Sequence, residues 1–248
     1  MYKAVISDLD GTLLNEKGKV SDFTRKTVRE LIDKGIKFYI ATGRNYGLAK
    51  AVMDELGITI PLISANGARI NDENGKVVFE DLLGQEEVEK ILEIDYRKYG
   101  GNIFMNVFSG EDWLVPVGGL ECISEEERKA FPELPKEVLE DTLKELEIQK
   151  IFFIGEHEAL VELEKEIIEK TGGKVAVAFA DERCAEFFSE TANKANAAKF
   201  LLKRDGIDIK DAVSFGDGEN DYEMLTMAGK GFAMGNAIYR LKDMLPED

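Results

Sequence analysis

Two aspartates, Asp8 and Asp10, follow the short apolar run 4–6 and are separated by a single residue. Ionised carboxylates placed close together repel each other and lose hydration, so such a pair is unfavourable unless it does chemistry. A bound divalent cation would remove this conflict, because both side chains would then act as oxygen ligands or nucleophiles. Gly11 follows, and it allows a sharp backbone turn beside whatever the aspartates hold.

Polar residues also follow three further apolar segments. These are 37–40, followed by Thr42, Gly43 and Arg44; 61–63, followed by Ser64 and Asn66; and 212–215, followed by Asp217, Glu219, Asn220 and Asp221. The carboxyl ends of parallel strands meet at one crevice of an open sheet. We therefore expect hydroxyl, amide and carboxylate groups from distant parts of the chain to converge there, although Asn66 and Gly67 alone also fit an ordinary turn.

Strand and helix patterns alternate at both ends of the sequence. Strands are predicted over 4–9, 37–41, 61–64, 212–215 and 231–233, and helices over 21–34, 46–56, 195–204 and 222–228. This alternation is typical of a parallel sheet covered by helices. The sequence therefore predicts an α/β fold with a Rossmann-like parallel-sheet core. The first helix has its apolar residues on one predicted face, namely Phe23, Val28, Leu31 and Ile32.

The regular alternation of strand and helix patterns is lost in the middle of the chain. Helices are predicted there over 85–99 and 158–170, and strands over 103–108, 113–117, 149–154, 174–180 and 184–189. Few residues of catalytic type follow these strands. We therefore predict an inserted α/β domain over residues 83–190, between two parts of one core formed by residues 1–82 and 191–248.

Composition limits the classes of partner. The 248 residues carry a formal net charge of −17, which argues against binding to nucleic acid or to an anionic membrane, because phosphate backbones are bound by basic surfaces. No apolar run approaches the ~20 residues of a membrane span, and no signal-peptide pattern is present. We expect a cytoplasmic monomer or homodimer.

The polar segments, taken together and in this order, resemble the motifs of haloacid dehalogenase-like phosphatases, and within them the Cof-type hydrolases with a large α/β cap of type IIB. The resemblance covers nearly the whole chain. It departs from the family pattern at Ala195, where glycine usually follows the motif lysine. The matching parts are 8–13, 41–44, Lys194 and 216–221 for the four motifs, and 64–68 and 229–237 for the Cof type.

The resemblance implies a Mg²⁺-dependent phosphatase in which Asp8 forms an aspartyl-phosphate and Asp10 serves as general acid and then as general base. The implied Mg²⁺ ligands are the carboxylates of Asp8 and Asp217 and the backbone carbonyl of Asp10, with Asp221 bound through water or orienting the others. The groups expected around the phosphoryl oxygens are the N–H of Leu9, the Thr42 hydroxyl, the N–H of Gly43, the Lys194 ammonium and the Asn220 side chain, with Arg44 bracing the site or touching substrate.

The implied substrate is a small phosphorylated metabolite, foremost a sugar phosphate, whose leaving group is selected by the cap. Phosphoglycolate, a nucleotide or a cofactor phosphate remains open. Two other classes also remain: a phosphomutase, which returns the phosphoryl group to another oxygen of the substrate, and a protein that binds a phosphorylated ligand without turnover.

Overall fold

The computed structural model describes residues 1–100, 102–123, 128 and 134–246. The predicted α/β fold with a parallel-sheet core is confirmed. The chain divides into two compact units, a larger one of Met1–Glu80 with Asn193–Asp248 and a smaller one of Asp81–Ala192. The roles predicted for these regions, catalytic core and substrate-selecting cap, stay predictions.

The helices and strands of the described residues are numbered along the chain. The strands are β1 Ala4–Ser7, β2 Lys37–Ala41, β3 Leu62–Ser64, β4 Arg69–Asn71, β5 Val77–Glu80, β6 Phe104–Ser109, β7 Asp112–Pro116, β8 Lys136–Val138, β9 Lys150–Ile154, β10 Val175–Asp181, β11 Cys184–Ser189, β12 Ala212–Gly216 and β13 Lys230–Ala233. The α-helices are α1 Asp22–Asp33, α2 Tyr46–Leu56, α3 Gln85–Leu92, α4 Glu140–Leu143, α5 His157–Thr171, α6 Lys194–Arg204, α7 Tyr222–Met227 and α8 Tyr239–Met244.

The larger unit is built on a seven-stranded sheet in the order β13-β12-β1-β2-β3-β4-β5. Its first five strands are parallel, and β1 lies between β12 and β2, so that Ala4 pairs with both Ala212 and Lys37. Strands β4 and β5, which the sequence patterns did not predict, extend the sheet in antiparallel fashion. The strands that precede the predicted site residues are therefore neighbours at the centre of one sheet.

Helices cover both faces of this sheet, as a parallel sheet requires. On one face, Ile6 of β1 belongs to a core cluster with Leu201 of α6 and Met224 of α7. On the other face, Phe38 of β2 packs in a second cluster with Val28 of α1. The alternation of side chains along each strand accounts for the two cores.

The predicted apolar face of α1 is only partly buried. Val28 is buried, whereas the Phe23 side chain is 80% exposed and Ile32 lies at the exposed edge. Phe23 and Val28 are five residues apart, which places them about 140° apart around the helix. The packing face of α1 is therefore narrower than the four apolar positions indicated.

The smaller unit has its own sheet of six strands in the order β10-β11-β9-β6-β7-β8, antiparallel except between β7 and β8. Helices α3 and α5 pack together, and α5 packs on β10 and β11. The single helix predicted over 85–99 is wrong. Helix α3 ends at Leu92, and a separate 3₁₀ turn, Tyr96–Tyr99, places the Tyr96 ring 5.3 Å from that of Phe153.

A buried ion pair lies on one face of this second sheet. Lys150 of β9 stands opposite Phe188, and Glu186 of β11 stands opposite Phe152, so the two side chains are diagonal neighbours on the same face. The Lys150 ammonium donates a hydrogen bond to the Glu186 carboxylate, and both side chains are at least 95% buried. The ammonium also lies 4.9 Å from the centre of the Phe108 ring, a distance suited to a cation–π interaction.

Among the described residues, we find no helix with the length and apolar character needed to cross a bilayer.

Candidate active site

The first motif forms a tight turn at the carboxyl end of β1. The Asp8 N–H still donates to the carbonyl of Phe215 in β12, at 3.0 Å, and the chain then leaves the sheet. Gly11 has φ +69°, and a Cβ atom at this position would overlap the Asp217 carboxylate. A glycine is therefore required for the turn to lie against the fourth motif.

Lys194, the first residue of α6, connects the motifs through its side chain. The helix begins there because the side chain of Asn193 caps its amino end. The Lys194 ammonium, which is 1% exposed, lies 2.8 Å from Asp8 Oδ1, 2.6 Å from Asp221 Oδ1 and 3.3 Å from Asn220 Oδ1. Burial alone lowers the pKa of Lys194, but the charges of Asp221 and Asp8 together outweigh it and raise the pKa above its ordinary value. Lys194 therefore stays positively charged.

Three carboxylates cluster around this lysine. Asp8, Asp217 and Asp221 each offer an oxygen, and these oxygens lie within 4.8 Å of one another. Burial raises the pKa of Asp8, a rise that Lys194 opposes and the charge of Asp221 reinforces. Burial also raises the pKa of Asp217, to about 6, against the hydrogen bond from Thr12, which lowers it. The cluster thus holds three carboxylates, two of them in contact with the single ammonium of Lys194, and a divalent cation fits this excess of negative charge and these oxygen donors.

The carboxylate of Asp221 is held by the protein itself. Its Oδ2 accepts the backbone N–H groups of Asp217, at 2.9 Å, and Gly218, at 3.0 Å, while its Oδ1 accepts from Lys194. The side chain is fully buried. These contacts suit the second of the two roles predicted for Asp221, that of orienting the other groups.

Asp217 is oriented by two residues that the sequence analysis assigned no role. The Thr12 hydroxyl donates to its Oδ1 at 2.7 Å, and the Asn236 amide donates to its Oδ2 at 3.1 Å and to the Gly11 carbonyl at 2.9 Å. Thr12 and Asn236 both lie in segments that matched the family pattern. Their place in those segments was the only sign in the sequence that they contribute to the site. Which atoms they contact depends on the fold.

Asp10 and Arg44 form a two-pronged ion pair. Arg44 Nε lies 2.7 Å from Asp10 Oδ2, and Arg44 Nη2 lies 2.5 Å from Asp10 Oδ1. The Asp10 side chain is 56% exposed, unlike that of Asp8. Arg44 thus contacts a predicted catalytic residue directly, and the carboxylate of that residue is more exposed than those of Asp8 and Asp221.

The remaining predicted residues follow β1, β2 and β12. Thr42 is buried, and its hydroxyl oxygen accepts the Arg44 N–H at 3.1 Å. Leu9 buries its side chain in the core, so only its backbone is available to a ligand, and Gly43 is half-buried. Asn220 is buried and donates through Nδ2 to Asn66 Oδ1 at 3.0 Å.

The model of the haloacid dehalogenase-like hydrolase family matches residues 5–247. The chain belongs to this family. Its relatives include a putative phosphatase of Buchnera aphidicola subsp. Baizongia pistaciae, 38% identical over 99% of this chain and 91% of that protein. An HMP-PP phosphatase of Yersinia pestis is 30% identical over 100% of this chain and 89% of that protein.

Solved structures agree on the architecture. A subclass IIB sugar phosphatase of the same superfamily superposes with a TM-score of 0.81 over 98% of this chain and 91% of that chain, at 24% identity. At this identity the likeness shows the fold. The predicted family and the predicted enzyme class, a phosphatase among the hydrolases, are confirmed by the family match and the named relatives.

Proposed function

We propose that this protein hydrolyses a small phosphomonoester, foremost a sugar phosphate, through an aspartyl-phosphate on Asp8. The observation that carries the proposal is the buried Asp8 carboxylate held at 2.8 Å by Lys194 within a cluster of three carboxylates. The subclass IIB sugar phosphatase with the same fold and the HMP-PP phosphatase relative support a small phosphorylated substrate.

In the first half-reaction, an oxygen of Asp8 attacks phosphorus. The Asp8–phosphorus bond forms, the bond between phosphorus and the ester oxygen breaks, and Asp10 gives a proton to the departing alcohol. Lys194 fixes the Asp8 carboxylate through Oδ1 and supplies positive charge next to the phosphoryl group. The Thr42 hydroxyl and the N–H groups of Leu9 and Gly43 hold the phosphoryl oxygens.

In the second half-reaction, Asp10 takes a proton from water. That water attacks phosphorus, the Asp8–phosphorus bond breaks, and inorganic phosphate is released. Both oxygens of Asp10 accept one hydrogen bond each from Arg44 in the structure, and each oxygen keeps a second lone pair that can carry or take the proton. Arg44 therefore sets the starting position of Asp10.

Mg²⁺ is the cation that we propose for the carboxylate cluster, because carboxylate and carbonyl oxygens are its preferred protein ligands. Asp8 and Asp217, together with the backbone carbonyl of Asp10, would hold it, and Asp221 would orient them. When bound, it would offset the negative charge of the phosphate and the carboxylates.

A panel of phosphorylated sugars, glycolytic acids and nucleotides tests the whole proposed function. Within that function, we propose that the smaller unit selects the substrate. We expect release of inorganic phosphate from a subset of sugar phosphates, with label from H₂¹⁸O entering the phosphate. An isomerised ester with little labelled phosphate would instead identify a mutase, and tight binding without turnover would identify a binding protein. Replacing residues 83–190 by a short linker should weaken discrimination among esters more than hydrolysis of a small generic ester.

A further inference from the structure

Two consecutive non-glycine residues adopt positive φ angles in the turn after β3. Ala65 has φ +47° and Asn66 has φ +59°, and they are the only non-glycine residues with positive φ in the described part of the chain. Residues with a Cβ atom rarely occupy this region. Both residues are at least 97% buried. A strained conformation in a buried turn persists only where the surrounding contacts fix it.

The turn is tied to the end of β2, where the second motif lies. The Ala65 N–H donates to the carbonyl of Arg44 at 2.8 Å, and the Asn66 N–H donates to the carbonyl of Thr42 at 3.0 Å. These bonds hold the turn against the backbone from which Thr42 and Arg44 project.

The same turn is pressed against the start of α6, which carries Lys194. Gly67 has φ +96°, and a Cβ atom there would overlap the backbone carbonyl group of Asn193 and lie 3.1 Å from the backbone nitrogen of Lys194. The absence of a side chain at Gly67 therefore lets the turn and the amino end of α6 approach each other closely.

The conformation of the turn directs the Asn66 side chain at the fourth motif. Asn66 Oδ1 accepts a hydrogen bond from Asn220 Nδ2 at 3.0 Å. Asn220 can then present its own oxygen, Oδ1, to the Lys194 ammonium at 3.3 Å. A side-chain amide has distinct donor and acceptor ends, so the bond to Asn66 decides which end of Asn220 faces Lys194.

We propose that the turn Ala65–Gly67 is a positioning element of the active site, in which Asn66 fixes the orientation of the Asn220 amide and thereby the place of Lys194. This inference rests on the proposed phosphatase function. It assigns Asn66 no contact with substrate. Its effect is exerted through Asn220.

The test replaces Asn66 by glycine, which tolerates the same φ and removes only the amide side chain. We expect kcat at saturating Mg²⁺ and substrate to fall about 10- to 100-fold, as for a small misplacement of a catalytic group, while KM changes less than about threefold. In a double-mutant cycle, Asn66→Gly should not lower kcat any further when Asn220 is already replaced by alanine, because the two residues act as one unit. Wild-type kcat in Asn66→Gly, or losses that multiply in the double variant, would overturn the proposal.

Asn71→Ala provides the matched control. Asn71 is also a buried asparagine near the same turn, and its amide donates to the Gly75 carbonyl at 2.9 Å, away from Lys194 and Asn220. We expect this variant to lose thermal stability and to keep kcat within about twofold. A loss of kcat as large as that of Asn66→Gly would show that any buried amide of this region has the same effect, and would refute a specific role for Asn66.

A second measurement does not depend on turnover or on the folding of a variant. In the wild-type protein, one hydrogen of the Asn220 side-chain amide should exchange slowly with solvent. The same hydrogen should show a through-space NMR contact with the side chain of Asn66. Rapid exchange of both hydrogens would overturn the proposal. Wild-type protein that hydrolyses no ester would refute the proposed function, whereas wild-type turnover combined with an unaffected Asn66→Gly variant would refute only the role of Asn66.

Discussion

Lys194 in the larger unit and Lys150 in the smaller unit are both buried lysines paired with buried carboxylates, but their surroundings differ. Lys194 lies at the start of a helix, beside the ends of strands, and contacts both Asp8 and Asp221. Lys150 lies within a strand, pairs with Glu186 and is flanked by aromatic rings. Burial is therefore the same in the two places, while the balance of charge is not.

This difference separates the cluster that we propose for catalysis from a structural ion pair. Around Lys194, carboxylates outnumber the ammonium, and the pKa values of Asp8 and Asp217 are raised, so the cluster is suited to a further cation. The single charges of Lys150 and Glu186 offset each other. We therefore interpret the second pair as part of the packing of the smaller unit.

The largest effect is expected for Asp8→Asn, which removes the proposed nucleophile and keeps its shape. Turnover should fall by at least about 10⁴-fold, as in other enzymes that lose a nucleophile. The melting temperature should stay the same or rise, because one of the crowded carboxylates loses its charge. Phosphate release and thermal unfolding measure the two quantities. Near-normal phosphate release by this variant would eliminate the proposed chemistry.

Removal of divalent metal should have the next largest effect. Chelation with EDTA should reduce phosphate release to the background rate, and Mg²⁺ should restore it. Mg²⁺ should also raise the melting temperature of the wild-type protein, because a ligand that binds only the folded state stabilises it. The Asp217→Asn variant should lose this rise, whereas Glu186→Gln should keep it. Full activity after thorough chelation would count against a metal site.

Glu186→Gln should have the opposite effects to Asp8→Asn: it should lower the stability of the fold and leave the rate of turnover nearly unchanged. Removing one partner leaves Lys150 buried without its counter-charge, which we expect to cost roughly 3 kcal/mol of unfolding free energy, as measured in urea. The rate constant kcat should stay within about twofold. Replacing both partners, as in Lys150→Met with Glu186→Leu, should recover most of the stability. If Glu186→Gln lowered kcat strongly in folded protein, the two buried lysines would not differ as we infer.

The smallest effect is expected for Arg44→Lys. Lysine keeps the positive charge but cannot make the two-pronged contact with Asp10, so the starting position of Asp10 becomes less defined. We expect kcat to fall about tenfold and the melting temperature to change little, since Asp10 is exposed. An unchanged kcat would show that Arg44 does not position Asp10.

The strand patterns were sufficient to predict Asp8 and Asp217 as neighbours, because each follows a strand whose pattern is clear and the ends of parallel strands meet at one edge of the sheet. Lys194 was predicted to join them through the family resemblance. Their individual roles are still to be tested by the variants above. Thr12 and Asn236 were part of matched segments, but their hydrogen bonds to Asp217 depend on side-chain directions that no periodicity encodes.

The pairing of Lys150 with Glu186 could not be predicted, since it depends on the register between β9 and β11, which are separated by a helix and a further strand. Lys150 also begins a strand that otherwise reads as apolar. The exposure of Phe23 could not be predicted for the opposite reason. Its apolar character fitted a helix face, but the structure buries only the narrower side of α1 that contains Val28.

The pairing of β1 with β12 also determines the order of events when the chain folds. Ala4 and Ala212 are paired across about two hundred residues, so Asp8 meets Lys194 and Asp217 only after a very long loop has closed. Contacts of such sequence separation form slowly, whereas helices form from local contacts. After dilution from denaturant, the recovery of phosphatase activity should therefore lag behind the recovery of helical circular dichroism.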